Sequence, residues 1–160
     1  MNKHKEIKIE SSPEEMFRVE QFVEEISDEY LLYGNYFGNI LMAVTAAVQN
    51  AIIHGNGLDS RKFVRIALES TKEGLWIRVL DEGKGFDHRA YAHNMDLEKD
   101  FGTEKNGLLL IHKLADEVRF KNNGRTIEML FRINGIENGI FDRRMTIMQD
   151  FFRVYQRLNT

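Results

Sequence analysis

The chain has 160 residues, of which 42% are hydrophobic and 29% charged, with 22 Lys+Arg, 25 Asp+Glu and a formal net charge of −3. This length suits one domain, and the apolar fraction is large enough to fill a core, which argues against a disordered chain. The mild acidity argues against a protein that binds nucleic acid by neutralising many phosphates. Because there is no cysteine, disulfides, thiolate metal sites and a cysteine nucleophile are excluded.

The N-terminal segment MNKHKEIKIE is too polar for a signal peptide. No continuous apolar run approaches the roughly 20 residues of a membrane span. We therefore expect a soluble, cytoplasmic protein with no membrane segment.

The first elements are a strand and two helices. Alternating apolar residues predict a strand over residues 5–10. The segment Ser12–Glu15 is typical of a helix start, with Ser12 as the N-cap and Glu15 completing a capping box. A second helix is predicted over residues 39–54, ending at a Gly-Asn-Gly sequence that is typical of a C-cap.

The period then changes from helical to alternating. The spacing predicts two antiparallel hairpins with a long loop and a third helix between them. The predicted ranges are strands at 63–68 and 75–80, a loop at 81–106, a helix at 107–117, and strands at 118–121 and 126–133. A loop of that length inside a compact domain is uncommon and is usually functional or mobile.

The tail predicts a separate amphipathic helix over residues 140–158, which we assign to a C-terminal extension, 136–160, beyond a domain at 1–135. Its apolar residues form two stripes: Phe141, Met145, Met148, Phe152 and Tyr155; and Ile147, Phe151, Val154 and Leu158. This helix has three alternative roles: it packs on its own domain, it mediates homodimerisation or partner binding, or it lies on a membrane surface.

The second helix carries an unusual polar residue. Its segment 41–53 is almost entirely apolar or small, yet it contains Asn50 in the middle. A buried amide needs hydrogen-bond partners, so Asn50 is either a satisfied core amide or a ligand-binding group. Ala46, Asn50 and His54 are spaced by four and should share one helix face.

Two glycine-containing segments suggest a ligand. Asp81-Glu82-Gly83-Lys84-Gly85 follows a strand, and an aspartate there can accept a hydrogen bond from an exocyclic amine such as that of adenine. An ordinary strand-exit turn would show the same pattern. The segment 102–107 leads into the third helix, whose free N–H groups and dipole suit a phosphate. It is neither a P-loop nor a dinucleotide fingerprint.

Together these segments form an ordered set that resembles the GHKL-type (Bergerat) ATP-binding domains of gyrase, Hsp90, histidine kinases and MutL. Among these, the chain is most similar to the bacterial anti-sigma factor serine/threonine kinases. Residues 43–55 resemble their N-box, 81–87 their G1 box and 107–118 the segment after the ATP lid, and the likeness spans about 5–133.

The resemblance implies an α/β (α+β) two-layer sandwich, with a mixed, mainly antiparallel sheet covered on one face by helices. It also implies ATP and Mg²⁺ as cofactors. Asn50 would bind the Mg²⁺ that bridges the triphosphate, and Asp81 would accept from the adenine amino group. Gly83 and Gly85 would shape the adenine end of the pocket. The phosphates would be bound by Asn106, Gly107 and Leu108. Residues 87–106 would form a mobile lid.

Two positions depart from the family pattern. Where the N-box has a glutamate that acts as general base, this chain has Ala46. A methyl group cannot take a proton, and loss of a positioned base typically costs about 10²–10⁴-fold in rate. The lid ends in Lys105-Asn106-Gly107 instead of Gly-x-Gly. We therefore expect ATP binding with slow or absent phosphotransfer and no catalytic residue at this position.

The resemblance implies a regulator of transcription that binds a sigma factor and an anti-anti-sigma (STAS-type) partner in a nucleotide-dependent way. One alternative is an active serine kinase or ATPase that uses another acidic residue as base. Another is a scaffold that keeps the fold without binding nucleotide. Retention of Asn50, Asp81, Gly83 and Gly85 disfavours the scaffold.

Overall fold

The structure is a computed structural model that describes residues 3–32, 34–85, 104–133 and 138–158. These ranges contain five strands and four α-helices. The strands are β1 (His4–Glu10), β2 (Phe63–Ser70), β3 (Leu75–Leu80), β4 (Glu117–Lys121) and β5 (Thr126–Phe131). The helices are α1 (Met16–Glu29), α2 (Asn35–Asn50), α3 (Glu104–Leu114) and α4 (Asn138–Leu158).

The strands form one open sheet in the order β1-β2-β3-β5-β4, and each of its pairings is antiparallel. The two predicted hairpins are therefore confirmed, and they meet where β3 pairs with β5. Ile77 lies opposite both Leu68 and Met129 in this register. The two-layer α+β fold expected from the sequence is confirmed.

The core lies between one face of the sheet and the helices. Alternate strand residues point into it because successive side chains of a strand face opposite sides. The buried residues on this face of the sheet are Ile9, Val64, Ile66, Leu68, Leu75, Ile77, Val79, Ile127, Met129 and Phe131. They form one cluster with apolar side chains of α1, α2 and α3.

Helix α2 and the turn after it, Tyr36–Gly55, are apolar and long enough to cross a membrane by length and composition alone. This differs from the expectation from the sequence, which rested on the lack of a continuous apolar run. Half of the segment is buried inside the fold, and its buried side chains belong to the core cluster. Those contacts are what a central helix of a layered domain makes.

The start of the first helix differs from the predicted capping box. The Ser12 hydroxyl donates to the Glu14 carboxylate and makes no bond to a helix N–H. Pro13 instead begins a short 3₁₀ turn, in which the Glu15 N–H donates to the Ser12 carbonyl at 3.0 Å. The α-helix proper begins directly after this turn, at Met16.

The predicted tail helix is confirmed as α4, and one side of it packs on the domain. Among the α4 side chains that the structure describes, those that contact the core cluster or are themselves buried are Ile147, Met148, Phe151 and Val154. Met148 Cε lies 3.1 Å from where a Cβ at Gly38 of α2 would stand. About half of the surface of Phe152, Tyr155 and Leu158 remains exposed, and homodimerisation through this helix stays a prediction.

Candidate functional site

A pocket opens between the helices and the sheet. Including its open mouth, it has a volume of about 390 Å³. Its walls are mainly apolar, with one amide, one carboxylate and one guanidinium among them. The lining residues are Ala47, Asn50, Ala51, Gly55, Val79, Asp81, Leu108, Ile111, Phe120, Gly124, Arg125 and Ile127. A mainly apolar cleft with a few convergent polar groups is typical of a small-molecule site.

Asp81 lies directly after β3 and is held at three points. Its N–H donates to the carbonyl of Arg125 at 2.9 Å, which extends the pairing of β3 with β5. Its Oδ1 accepts from the Gly83 N–H at 2.8 Å. Its carboxylate lies so close to Gly55 that a Cβ there would stand 2.5 Å from Oδ2. Within the part of the chain that the structure describes, no donor is bonded to Oδ2, so this oxygen can accept from a ligand.

The environment of Asp81 makes its charged form costly. Burial raises the pKa of the Asp81 carboxyl above its usual value, although the Gly83 N–H and the charges of Arg125 and Lys62 act in the opposite direction. A carboxylate with a perturbed pKa in a cleft is a functional-site candidate. A hydrogen-bond donor on a ligand would therefore stabilise the charged form of Asp81.

Gly83 and Gly85 are needed for a reason that the sequence did not indicate. The family resemblance implies that these glycines shape the adenine end of the pocket. In the structure, a Cβ at Gly83 would stand 2.0 Å from the Gly55 carbonyl oxygen, and one at Gly85 would stand 2.2 Å from the Asn123 carbonyl oxygen. Gly85 also has a φ of +82°, which favours glycine. Both glycines thus let the loop pack on the chain's own backbone.

Asn50 lies in the pocket wall opposite a glycine of α3. Its Nδ2 is buried without a hydrogen-bond partner among the described residues. A Cβ at Gly107 would stand 2.9 Å from Nδ2 and 3.0 Å from Oδ1, so the missing side chain at 107 leaves room for the amide. Asn39 Oδ1 and the Tyr30 hydroxyl also lack partners in the described ranges, but neither residue lines the pocket.

Helix α3 begins earlier than predicted. It starts at Glu104 instead of Gly107 and ends at Leu114, so Glu117 belongs to β4. The unpaired N–H groups of a helix belong to its cap and first three residues, and Gly107 is the fourth residue of α3. Leu108 is buried in the pocket wall. The side chain of Asn106 and most of the predicted lid at 87–106 lie outside the described residues.

The end of the N-box segment is not a regular α-helix. Residues Ala51–Gly55 form a π-helical turn, closed by an N–H of Asn56 that donates to the carbonyl of Ala51 at 2.8 Å. This wider turn breaks the spacing of four that would have placed His54 on the same face as Asn50 and Ala46. His54 is exposed, whereas Ala46 is 8% exposed. Single π turns inside helices frequently occur at functional sites.

Sequence reasoning missed Asn56, which links three distant segments. Its Nδ2 donates to Ser11 Oγ at 2.7 Å and to the Phe63 carbonyl at 3.0 Å. Its Oδ1 accepts from the Glu82 N–H at 2.7 Å. Asn56 is 3% exposed. In the sequence it stands between two glycines and has the appearance of an ordinary helix stop.

These residues fit a purine nucleotide. The apolar walls suit a flat aromatic ring, Asp81 Oδ2 can accept from an exocyclic amine, and the amide oxygen Oδ1 of Asn50 can contact a phosphate-bound cation. The sandwich fold and this pocket define a nucleotide-binding domain of the ATPase type.

The family comparison agrees with this class. The family model of the histidine kinase-like ATPase domain matches residues 9–131, and the chain belongs to that family. The match covers β2 to β5, the last two residues of β1, and α1, α2 and α3, and it stops before α4. No curated protein matches the chain. Membership in this family implies that the domain binds ATP.

Proposed function

We propose that the chain is an ATP-binding regulatory protein of the anti-sigma type. In this proposal it binds a sigma factor and an anti-anti-sigma (STAS-type) protein in the cytoplasm, in a way that depends on the bound nucleotide. The single observation that carries the nucleotide-binding part is the meeting of Asn50 and Asp81 in one pocket. Each has a polar atom that the described chain leaves without a partner. The choice of partners rests on the resemblance of the motifs.

The roles of the site residues follow from their surroundings. Asp81 would accept a hydrogen bond from the amino group of adenine. Val79 and Ile127, which lie opposite each other in the sheet and line the pocket, would contact the ring. Asn50, beside Gly107, would hold the Mg²⁺ that accompanies the triphosphate. The ion would supply positive charge to balance that of the phosphates.

Ala46 is the basis for proposing slow phosphotransfer. When a serine hydroxyl attacks the γ-phosphorus of ATP, its proton must pass to a base while the bond to the leaving ADP breaks. Ala46 lies one helical turn before Asn50 and has only a methyl group to offer. Without a base at this position, we expect a rate about 10²–10⁴-fold below that of a related active kinase.

The proposed rate limitation is tested by restoring an acid. The Ala46→Glu variant should raise ATP-dependent phosphotransfer or ATP hydrolysis by about 10²–10⁴-fold, measured with radiolabelled ATP. Gln49→Glu is the matched control, because it adds the same charge to an exposed position of the same helix and should leave the rate unchanged. A wild-type rate that Ala46→Glu does not raise would mean that another acid already serves as base.

The proposed partners are tested by a pull-down from the native cytoplasm with and without ATP. We expect a sigma factor or a STAS-type protein among the captured proteins, with an amount that changes when ATP is added. Capture that is identical for the wild type with and without ATP would contradict the nucleotide dependence.

A further inference from the structure

Asn56 forms a buried hydrogen-bonded junction beside the pocket without lining it. Through its amide, the end of β1 (Ser11), the start of β2 (Phe63) and the residue after Asp81 (Glu82) meet at one side chain. The junction is closed further by the Ser11 hydroxyl, which donates to the Lys62 carbonyl at 2.8 Å. The three segments lie 45, 7 and 26 residues from Asn56 in the chain.

Only an amide satisfies all of these bonds. The side chain of asparagine has two N–H donors and one carbonyl acceptor, and here both donors and the acceptor are used. Aspartate would keep the acceptor for Glu82 but lose both donors. Alanine or serine could not bridge from the strand ends to the Glu82 N–H.

Through its Oδ1, Asn56 fixes the peptide that follows Asp81, the residue proposed to bind adenine. Asp81 is fixed from one side by the bond of its N–H to the Arg125 carbonyl. The next peptide is fixed from the other side by the bond from Glu82 N–H to Asn56. Between these two anchors the Asp81 side chain contacts Gly55, and its Oδ1 accepts a hydrogen bond from the Gly83 N–H. Loss of the second anchor frees the loop that orients the carboxylate.

We propose that Asn56 is a positioning residue for base recognition, which holds the Glu82 peptide so that Asp81 discriminates adenine from a purine without the amino group. This inference rests on the proposed function, because it takes Asp81 as the acceptor for adenine. Asn56 itself contacts no nucleotide. Its effect appears in the selectivity of the pocket and only secondarily in affinity.

The test compares the dissociation constants of ATP and inosine triphosphate, both with Mg²⁺, by calorimetry on the full chain. Inosine triphosphate has an oxygen where ATP has the amino group, and an N1–H where adenine has an acceptor nitrogen. The part of the ratio that depends on Asp81 is therefore the difference between the wild type and Asp81→Ala. We expect the wild type to prefer ATP by about 10-fold or more, as for a hydrogen bond to a charged group. Asn56→Ala and the milder Asn56→Ser should reduce this ratio several-fold, toward that of Asp81→Ala.

Ser27→Ala is the matched control for lost stability. It removes a bond of similar length, from the Ser27 hydroxyl to the Leu32 carbonyl at 2.8 Å, at the end of α1. It should leave the selectivity ratio unchanged. Asn56→Asp, which keeps the acceptor for Glu82, should retain more of the ratio than Asn56→Ala at a temperature where both are folded.

The outcomes separate this inference from the proposed function. If both Asn56 variants weaken the two nucleotides equally and keep the wild-type ratio, Asn56 is merely structural and the inference is overturned. If the wild type binds neither nucleotide, or binds both equally well, the assignment of Asp81 to adenine fails and the inference fails with it. A reduced ratio in the variants, with an unchanged ratio in Ser27→Ala, supports it.

Discussion

Replacing Asn50 with alanine should weaken ATP binding and leave the nucleotide-free domain at least as stable as the wild type. The physical reason is the Nδ2 atom, which is buried without a partner among the described residues. A buried polar group without a hydrogen bond costs about 1–3 kcal/mol of stability. A bound ligand that accepts a hydrogen bond from Nδ2 would remove this destabilisation.

The magnitude follows from three contributions. Alanine removes the unsatisfied amide, and it is a better helix former than asparagine by up to about 0.7 kcal/mol. Against these gains stands the lost packing of the amide on Gly107. We expect a net increase of about 1 kcal/mol in the free energy of unfolding, equivalent to a rise of about 2–4 °C in Tm for a chain of this size.

The assay is urea unfolding without nucleotide, paired with calorimetric titration of ATP and Mg²⁺. Asn50→Ala should weaken ATP binding at least about tenfold, which corresponds to about 1.4 kcal/mol. Gln49→Ala, at the exposed neighbouring position, should change neither quantity appreciably. An Asn50→Ala protein that is destabilised by more than about 1 kcal/mol and still binds ATP normally would refute the reasoning, because Asn50 would then be a satisfied core amide.

Three further predictions concern Asp81, Gly83 and Glu128. Because burial raises the pKa of Asp81, the native state binds its proton more tightly than the unfolded chain. Its ionised form therefore destabilises the fold above that pKa, and this effect disappears as the pH falls. Asp81→Asn should be more stable than the wild type at pH 7 by urea unfolding, with a difference that vanishes at acidic pH. The ATP affinity of the wild type should fall as the pH drops through the raised pKa of Asp81. Because ATP itself also titrates, this affinity is expressed relative to that of Asp81→Asn at the same pH. A Cβ at Gly83 would meet the Gly55 carbonyl oxygen at 2.0 Å, so Gly83→Ala should cost about 1–3 kcal/mol and weaken ATP binding. Gly57→Ala is the control, because the space around a Cβ at residue 57 is open; it should change stability without changing ATP affinity. If Gly83→Ala and Gly57→Ala bind ATP equally well, the loop that contains Gly83 has no role in ATP binding. Glu128 is 3% exposed and lies 2.7 Å from Lys121 Nζ. Its burial would raise its pKa, but the bond from Lys121 and the charges of Arg78 and Lys121 lower it overall. Its stabilising contribution should be present above its unfolded pKa of about 4.3 and lost as the pH falls through the lowered folded pKa. The difference in unfolding free energy between wild type and Glu128→Gln should thus shrink at low pH; a difference independent of pH would refute the pairing.

The local part of the fold could be predicted from the sequence. Each hairpin has its own alternation and its own turn, so the pairings of β2 with β3 and of β4 with β5 depend on short segments. The pairing of β3 with β5 joins residues about 50 positions apart, and no local pattern specifies it. The same holds for β1, which pairs with β2 across the whole of α1 and α2.

Two of the polar residues of the pocket, Asn50 and Asp81, could also be predicted, since each breaks a local pattern. Asn50 interrupts an apolar helix, and Asp81 ends an apolar strand before two glycines. Asn56 could not be found in this way, because its partners Ser11 and Glu82 are distant in the chain. The π turn at Ala51–Gly55 was equally hidden, since its composition is that of an α-helix.

The central claim is that this pocket binds ATP through Asn50 and Asp81. The most direct measurement is a calorimetric titration of the full chain with ATP and Mg²⁺, repeated on Asn50→Ala and Asp81→Ala. The account predicts saturable binding of one ATP per chain, weakened at least about tenfold in each variant. Absence of saturable binding to the wild type, or an affinity that neither substitution changes, would contradict it.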